Sequence, residues 1–600
     1  MIEAHHDGSE LYVSNSAPKI GDKVTLRVRV PKKDGLNQVY LRIMYDAEPR
    51  ILPLKRGKST SVETWWSIQV KILNHSTSYR FLFLDKVSFR WLNGAGVFDY
   101  DVVDREDFRI IARPQYPEWI KQSVFYQIFP DRFATSGQKR ELPDWAVPRE
   151  WNQLPNGRSN VTGQEFYGGD FQGATAHLDH LTSLGVNAIY FTPFFPSRSN
   201  HRYDASSFDF VDPLLGGDKG LIEFSKAAQQ RGLKVMGDLT TNHCGAGHPW
   251  LQKSLKKSRA RECEFFYWDD ASPYGYIGWY NTQSLPKLNY NSQKLHELMY
   301  SGADSIVKKW LRPPFNMAGW RIDVANMTGR YLSDDFNKEV ARGIRDAMDK
   351  ENPEAWLVAE NADFSAEDLD GFGWHGTMNY NGFTMPLWQW IHDKDAKLQD
   401  HGRMPGKLPK IPGTSMVAAM RQFAAGIPWR SLVASMTLLD SHDRARFHSV
   451  VGKNHARHIA GLCMLMTYPG VPSVFAGDEV GLEGAWGEDA RRTINWDSPE
   501  KWDHTLFGAY QKLIAIHRSA HALQEGGLRW ITVKDDVVAY LRESKKESIL
   551  VVVSRKGGRF SIDLAPYGYT IKKTLYGPTQ SGKSIQISSR SAVSGIWKLA

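Results

Sequence analysis

Three cysteines in 600 residues, Cys244, Cys263 and Cys463, are too few and too irregularly spaced for a disulfide framework or a zinc site. They read as core filler. No stretch approaches the roughly eighteen consecutive apolar residues of a membrane span. The first residues lack the basic start, apolar segment and small-residue cleavage site of a secretory signal, so the expected location is cytoplasmic, away from membranes. No glycine-rich phosphate loop or nucleotide fingerprint occurs, which leaves no organic cofactor to expect. A long basic run is also absent. The net charge is +9, and +7 of it lies in residues 522–600, which hold 13 Lys/Arg against 6 Asp/Glu. A scattered cationic tail excludes a nucleic-acid stripe as the expectation.

With 42% hydrophobic and 24% charged residues, the chain has enough apolar surface to bury several cores. From Asp22 to Ile111 short alternating segments such as Lys23 to Val30 and Tyr79 to Leu84 predict a β-sandwich. After the Pro-containing stretch Arg113 to Pro117, apolar strands alternate with helical segments. Val186 to Thr192, Leu233 to Asp238, Gly319 to Asp323, Ala355 to Glu360, Ser435 to Asp440 and Pro472 to Ala476 are the strand candidates. Alternation over about 400 residues predicts an α/β fold, a (β/α)8 TIM barrel of parallel strands with a long insertion after the third. From about Gly527 short β segments return. The expected organisation is an N-terminal β-sandwich over 1–116, a barrel over 117–520 with its insertion at about 244–290, and a C-terminal β-sandwich over 521–600.

In such a barrel the site lies at the C-terminal strand ends, so polar residues that abruptly end apolar strands carry most weight. Four places qualify: Asp238 with Asn242 and His243, Arg321 with Asp323, Glu360 with Asn361, and Asp440 with His442 and Asp443. Their acids are expected to converge on one cleft. These segments resemble, in order, the characteristic motifs of the alpha-amylase family of glycoside hydrolases, and Leu285 to Asn289 is similar to the fifth motif of its neopullulanase-like members. Val124 to Phe133, Phe166 to Asp170 and Asn200 to Asp204 resemble the first strand-end regions of the same group. Asp304 to Met317, Met378 to Trp388 and Leu439 to Asp443 look most like its maltodextrin glucosidase branch.

Breaking a glycosidic bond passes through an oxocarbenium-like state, and needs one acid at the departing oxygen and one carboxylate across the bond. The resemblance implies that Asp323 is the nucleophile, Glu360 the acid/base and Asp443 a third acid on sugar hydroxyls. On neighbouring strands, Asp323 and Glu360 are expected about 5 to 5.5 Å apart, the spacing of a retaining enzyme. Arg321, two residues before Asp323, points to the same side and is expected to keep that carboxylate ionised. By resemblance His243 and His442 donate to hydroxyls, His201 contacts a primary hydroxyl, Tyr203 stacks on the sugar, and Arg491 lies near the substrate. Asp238 and Asn242 are expected as structural support. No metal site is expected.

The chain departs from the family at Ser207-Phe208, Met327, Ala359 and Gly487, none of which removes a catalytic group. The expected function is hydrolysis of α-1,4 bonds in short malto-oligosaccharides with release of glucose. The alternatives are a cyclomaltodextrinase or neopullulanase, and a non-catalytic glycan-binding relative, which would characteristically have lost carboxylates. A malto-oligosaccharide is the expected partner. The N-terminal domain is expected to shape the cleft or to join two copies in a homodimer.

Overall fold

The computed structural model describes residues 3–157, 159, 161–256, 259–361, 365–396 and 408–600. Residues 1–2, 158, 160, 257–258, 362–364 and 397–407, within the expected first domain, barrel and insertion, lie outside the described residues. Eight parallel strands form the central sheet: β1 Phe125–Ile128, β2 Ala188–Phe191, β3 Lys234–Thr240, β4 Gly319–Asp323, β5 Trp356–Ala359, β6 Gly376–Thr377, β7 Met436–Leu438 and β8 Val471–Phe475. They pair in the order β6-β5-β4-β3-β2-β1-β8-β7, and a parallel bridge from Met378 to Met436 joins the last to the first. That bridge closes the barrel.

The strands read as near-continuous apolar runs because both faces are covered. One set of alternating side chains, Phe125, Tyr190, Met236, Trp356, Val358 and Met436 among them, fills the barrel interior. The intervening set, including Tyr126, Ile189, Val235, Trp320 and Leu357, packs outward in the larger core shared with the helices. Helix Gly217–Gln230 shows the matching pattern, with Leu221, Phe224 and Ala228 buried on one face. Period-two alternation then predicts which polar residues face inward. Gln127, Asp238, Arg321, Asp323 and Glu360 all share parity with the interior set.

Between β3 and β4 the chain leaves the barrel and returns. Within the expected insertion, helix Pro249–Lys256 is followed by short bridges, Phe266 with Leu288 and Gly278 with Pro286. A further bridge pairs His243 with Lys287, so the insertion ends against the segment where it began.

Toward the amino terminus, Lys23–Pro31, Glu63–Lys71 and Lys55–Ser59 form one antiparallel sheet, and six strands from Gln38 to Ile111 form another. Val24, Leu26 and Val28 of the first meet Val39, Leu41, Ile43, Phe81 and Phe83 of the second in one core. Its contacts with the barrel include Arg113 on Asp349 at 2.6 Å, Ile111 against Gly371, and Gly94 against Ala425. Those barrel residues precede β5, β6 and β7, at the ends opposite the strand-end acids. Within one chain these contacts place the sandwich away from the cleft, where a cleft-shaping role was one expectation.

Five strands from Gly527 to Leu599 and a two-stranded ribbon, Gly558–Asp563 with Ser584–Ser589, form the carboxy-terminal β region. Strand Val537–Glu543 is buried throughout because it is covered twice. Ala539 and Leu541 face the ribbon, while Val538 and Tyr540 join the barrel core. Among the described residues no helix is long and apolar enough to cross a membrane.

Candidate active site

Strand register builds the site. Asp238 on β3 is the direct partner of Arg321 on β4, and the Glu360 amide donates to Ile322 at 2.9 Å, which sets Glu360 beside Asp323. Arg321 is fully buried. Its Nη1 donates to Asp238 at 2.9 Å and to Asp323 Oδ1 at 2.9 Å, while Nη2 lies 2.9 Å from Glu360 Oε2. One rigid guanidinium fork therefore spaces three carboxylates.

Immediately after Asp323 the chain makes a strained turn. Val324 has φ +38°, a conformation a β-branched residue rarely adopts, at a typical cost of about 1–3 kcal/mol. Its amide donates to Glu360 Oε2 at 2.9 Å. With Oε2 held by Arg321 and this amide, Oε1 is the oxygen of Glu360 left to face the cleft.

A second layer comes from loops. Arg202, at φ +62°, is buried and fastened to Asp212 at 2.7 Å and to the Asn200 carbonyl at 2.8 Å, which fixes the loop carrying His201 and Tyr203. The rings of His201, Tyr203 and His442 stack in series, with centroids 5.8 and 5.6 Å apart. The Tyr203 hydroxyl donates to Asp238 at 3.1 Å and lies 2.6 Å from His442 Nε2. Gln127 donates to His442 Nδ1 at 2.8 Å, which leaves the proton on Nε2, 3.0 Å from Asp443. Arg491 donates to the other oxygen of Asp443 at 3.1 Å.

On the opposite side, Asn242 donates to His243 Nδ1 at 3.1 Å and accepts from Lys287. The His243 Nε2 proton thus lies on the side of Asp323, 3.9 Å from its Oδ2, and makes no hydrogen bond among the described residues. Trp279 of the insertion stacks on His243 at 5.4 Å and 16°, and its Nε1 donates to Met327, one of the departures from the family pattern.

Electrostatics divide the acids. Burial, together with the charges of Glu360, Asp238 and Asp443, raises Asp323 well above the usual carboxylate range against the pull of Arg321. Asp443 is also pushed up by burial, but His442, Arg491 and Arg321 outweigh that and hold it well below. Burial pulls His201 and His243 down to about 3, so both are neutral donors at pH 7.

The eleven residues given site roles from the sequence line this one network. Asp440, counted with the strand-end acids, does not. Its carboxylate turns to the Phe447 amide at 2.5 Å, beside Asp478, so it holds the following loop. Four participants were not singled out: Gln127, Tyr190, whose hydroxyl donates to Asp238 at 2.6 Å, Lys287 and the Val324 amide. Among the described residues no cluster of three or more His, Cys, Asp or Glu side chains is arranged to hold a metal ion.

A parallel barrel with carboxylates converging at its strand ends supplies the paired acids that cleavage of a glycosidic bond needs. The alpha-amylase catalytic-domain family matches residues 127–510, and the chain belongs to that family. It is 30% identical over 558 residues to a cyclomaltodextrinase of a Bacillus species, covering 89% of this chain and 92% of that protein. An intracellular maltogenic amylase of Bacillus subtilis is 28% identical, with 84% and 82% covered. A solved cyclomaltodextrinase structure superposes with a TM-score of 0.73 at 26% identity over 99% of each chain. Glycoside hydrolases named cyclomaltodextrinase, maltogenic amylase and neopullulanase are thus what this chain is similar to along most of its length. The similarity to these enzymes favours the alternative over the glucose-releasing branch that short motifs suggested.

Proposed function

We propose that this enzyme hydrolyses α-1,4-glucosidic bonds of short linear and cyclic maltodextrins with retention of configuration. The observation that carries the reading is the Arg321 fork between Asp323 and Glu360 at adjacent strand ends. Asp323, turned to the cleft by Arg321, attacks the anomeric carbon. Glu360 Oε1 delivers a proton to the departing oxygen as the bond to the anomeric carbon breaks. Water then enters, loses its proton to Glu360 and releases the sugar from Asp323. Ionised Asp443 accepts from sugar hydroxyls, His243 Nε2 and His201 donate to them, and the Tyr203 ring offers an apolar face to the sugar.

Two experiments test this. Proton NMR of the first turnovers shows an α-anomer, whereas an initial β-anomer overturns retention. A timed product profile compares ring opening of a cyclomaltodextrin with glucose release from maltotriose. Faster ring opening supports the cyclomaltodextrinase reading, and faster glucose release restores the glucosidase reading. Short substrates are favoured over starch because the insertion, with Trp279 over His243, walls one side of the cleft. Where the amino-terminal sandwich contributes, it does so from a second copy, and a strictly monomeric full chain by light scattering removes that contribution.

A further inference from the structure

A cavity of about 170 Å³ lies where three parts of the chain meet, remote from the strand-end acids. The amino-terminal segment supplies Glu3 and Asp7, the first sandwich Asn93, the barrel Arg421 and Trp429, and the carboxy-terminal region Arg529 and Trp530. Two of its donors are buried and unanswered. Asn93, a lining residue, is 1% exposed, and its Oδ1 accepts from the Ala95 and Gly96 amides, which fixes the orientation of its amide. Nδ2 has no partner among the described residues. Arg529, 4% exposed, pairs through Nη2 with Glu63, and its Nη1 is likewise unpartnered.

A buried donor without an acceptor is unfavourable, so the cavity calls for an occupant rich in acceptor oxygens. Its lining charges are two arginines, Arg421 and Arg529, against two carboxylates, Glu3 and Asp7, which leaves no net charge for an ion to neutralise. Trp429, Trp530 and Phe108 present apolar rings. Balanced charge, open donors and aromatic walls together describe a neutral polyhydroxylated ring. A water needs only about 10–15 Å³, and water alone leaves the aromatic walls without a partner.

We propose that this junction cavity is a second sugar site, binding a neutral glucosaccharide of one or two units. The polyhydroxyl class follows from the cavity; the choice of glucose units rests on the function proposed above. The site lies one short helix, Trp429–Val433, upstream of β7, whose following loop carries His442 and Asp443. An occupant there ties the first sandwich, the barrel and the carboxy-terminal sheet to that strand.

The test uses the full chain carrying Asp323→Asn, titrated with maltose by calorimetry and by tryptophan fluorescence. Two equivalents are expected. Ala424→Phe, which fills the cavity, and Arg421→Met, which removes a donor on a half-exposed helix, each weaken one equivalent by about tenfold or more. Tyr203→Ala removes the other. A single equivalent lost only in Tyr203→Ala overturns the junction site, as do maltose-soaked crystals that hold only water there. Should Asp323→Asn retain full turnover, the catalytic reading fails, while the Arg421→Met titration still decides the cavity. A cooperative melt of each variant separates lost binding from lost folding.

Discussion

Of the buried networks of arginine and carboxylate in this molecule, one at the barrel mouth and one at the seam between its β regions make an informative pair. At the seam Arg29 pairs with Glu543 at 2.5 Å and approaches Glu63 at 3.6 Å, and Arg529 pairs with Glu63. Two cations meet two anions. At the mouth Arg321 alone faces Asp238, Asp323 and Glu360, with Asp443 beyond. The chemistry is the same and the stoichiometry differs. Burial pushes Glu543 up, but Arg29 and Arg529 overcome it and hold the carboxyl at about 2. No comparable balance exists for Asp323, which is raised. In this pair, matched charge goes with a depressed carboxyl and surplus carboxylate with a raised one.

The largest expected effect breaks the mouth. Asp323→Asn lowers turnover of maltotriose by roughly three orders of magnitude or more, because an amide cannot attack the anomeric carbon. Its fold survives. An Asp raised by burial binds its proton more tightly folded than unfolded, so its contribution to stability falls as pH rises through the unfolded and then the folded value. The variant therefore melts at or above the wild-type temperature at pH 7, and the gap closes as pH is lowered. Activity within tenfold of wild type sinks the assignment.

The converse change breaks the seam. Glu543→Gln leaves Arg29 and Arg529, both buried, to share the single carboxylate of Glu63, at a cost of about 3–5 kcal/mol, with kcat on short maltodextrins unchanged. For a depressed carboxyl the stabilisation is present above the unfolded value and lost as pH falls toward about 2. Acid melts of the wild type should steepen between roughly pH 4.5 and 2, while those of the variant stay flatter. A variant that loses kcat but keeps its melting temperature contradicts the contrast.

Much of this was legible because of the same physics. Strands of the barrel announce themselves as apolar runs ended by an acid, so β3, β4 and β5 are readable from Leu233, Gly319 and Ala355 onward. β6 is not. It is the two residues Gly376–Thr377, with no run to detect, and the apolar stretch behind it forms a helix. Gln127 and Tyr190 sit inside apolar strands and gain meaning only once the barrel brings them to His442 and Asp238. Asp440 shows the reverse error, since its place at a strand end resembles that of the acids while its carboxylate turns to Phe447. Short motifs are shared across near relatives, which is why they pointed to glucose release and the similarity along the chain did not.

The smallest expected effect sharpens the comparison, because Lys287 is a buried cation at the mouth that no carboxylate answers among the described residues. Its Nζ donates to the Asn242 side chain and, at 3.1 Å, to the Met327 carbonyl, and burial draws it down to about 8 from its ordinary 10.5. A lysine lowered in the fold binds its proton less tightly there than when unfolded, so stability gains as pH rises between about 8 and 10.5. Catalysis moves the other way. Deprotonation weakens the charge-assisted bond that orients Asn242, and through it the Nδ1 acceptor and Nε2 donor of His243. Wild-type KM should therefore climb above pH 8 with little change in kcat. Lys287→Met shows the raised KM at every pH, with kcat/KM lower by roughly three- to tenfold, about the worth of one hydrogen bond. Lys287→Arg, which keeps its charge, should lose the alkaline limb while retaining most of the affinity. A limb that persists unchanged in both variants places the titration elsewhere and removes Lys287 from the orientation of His243.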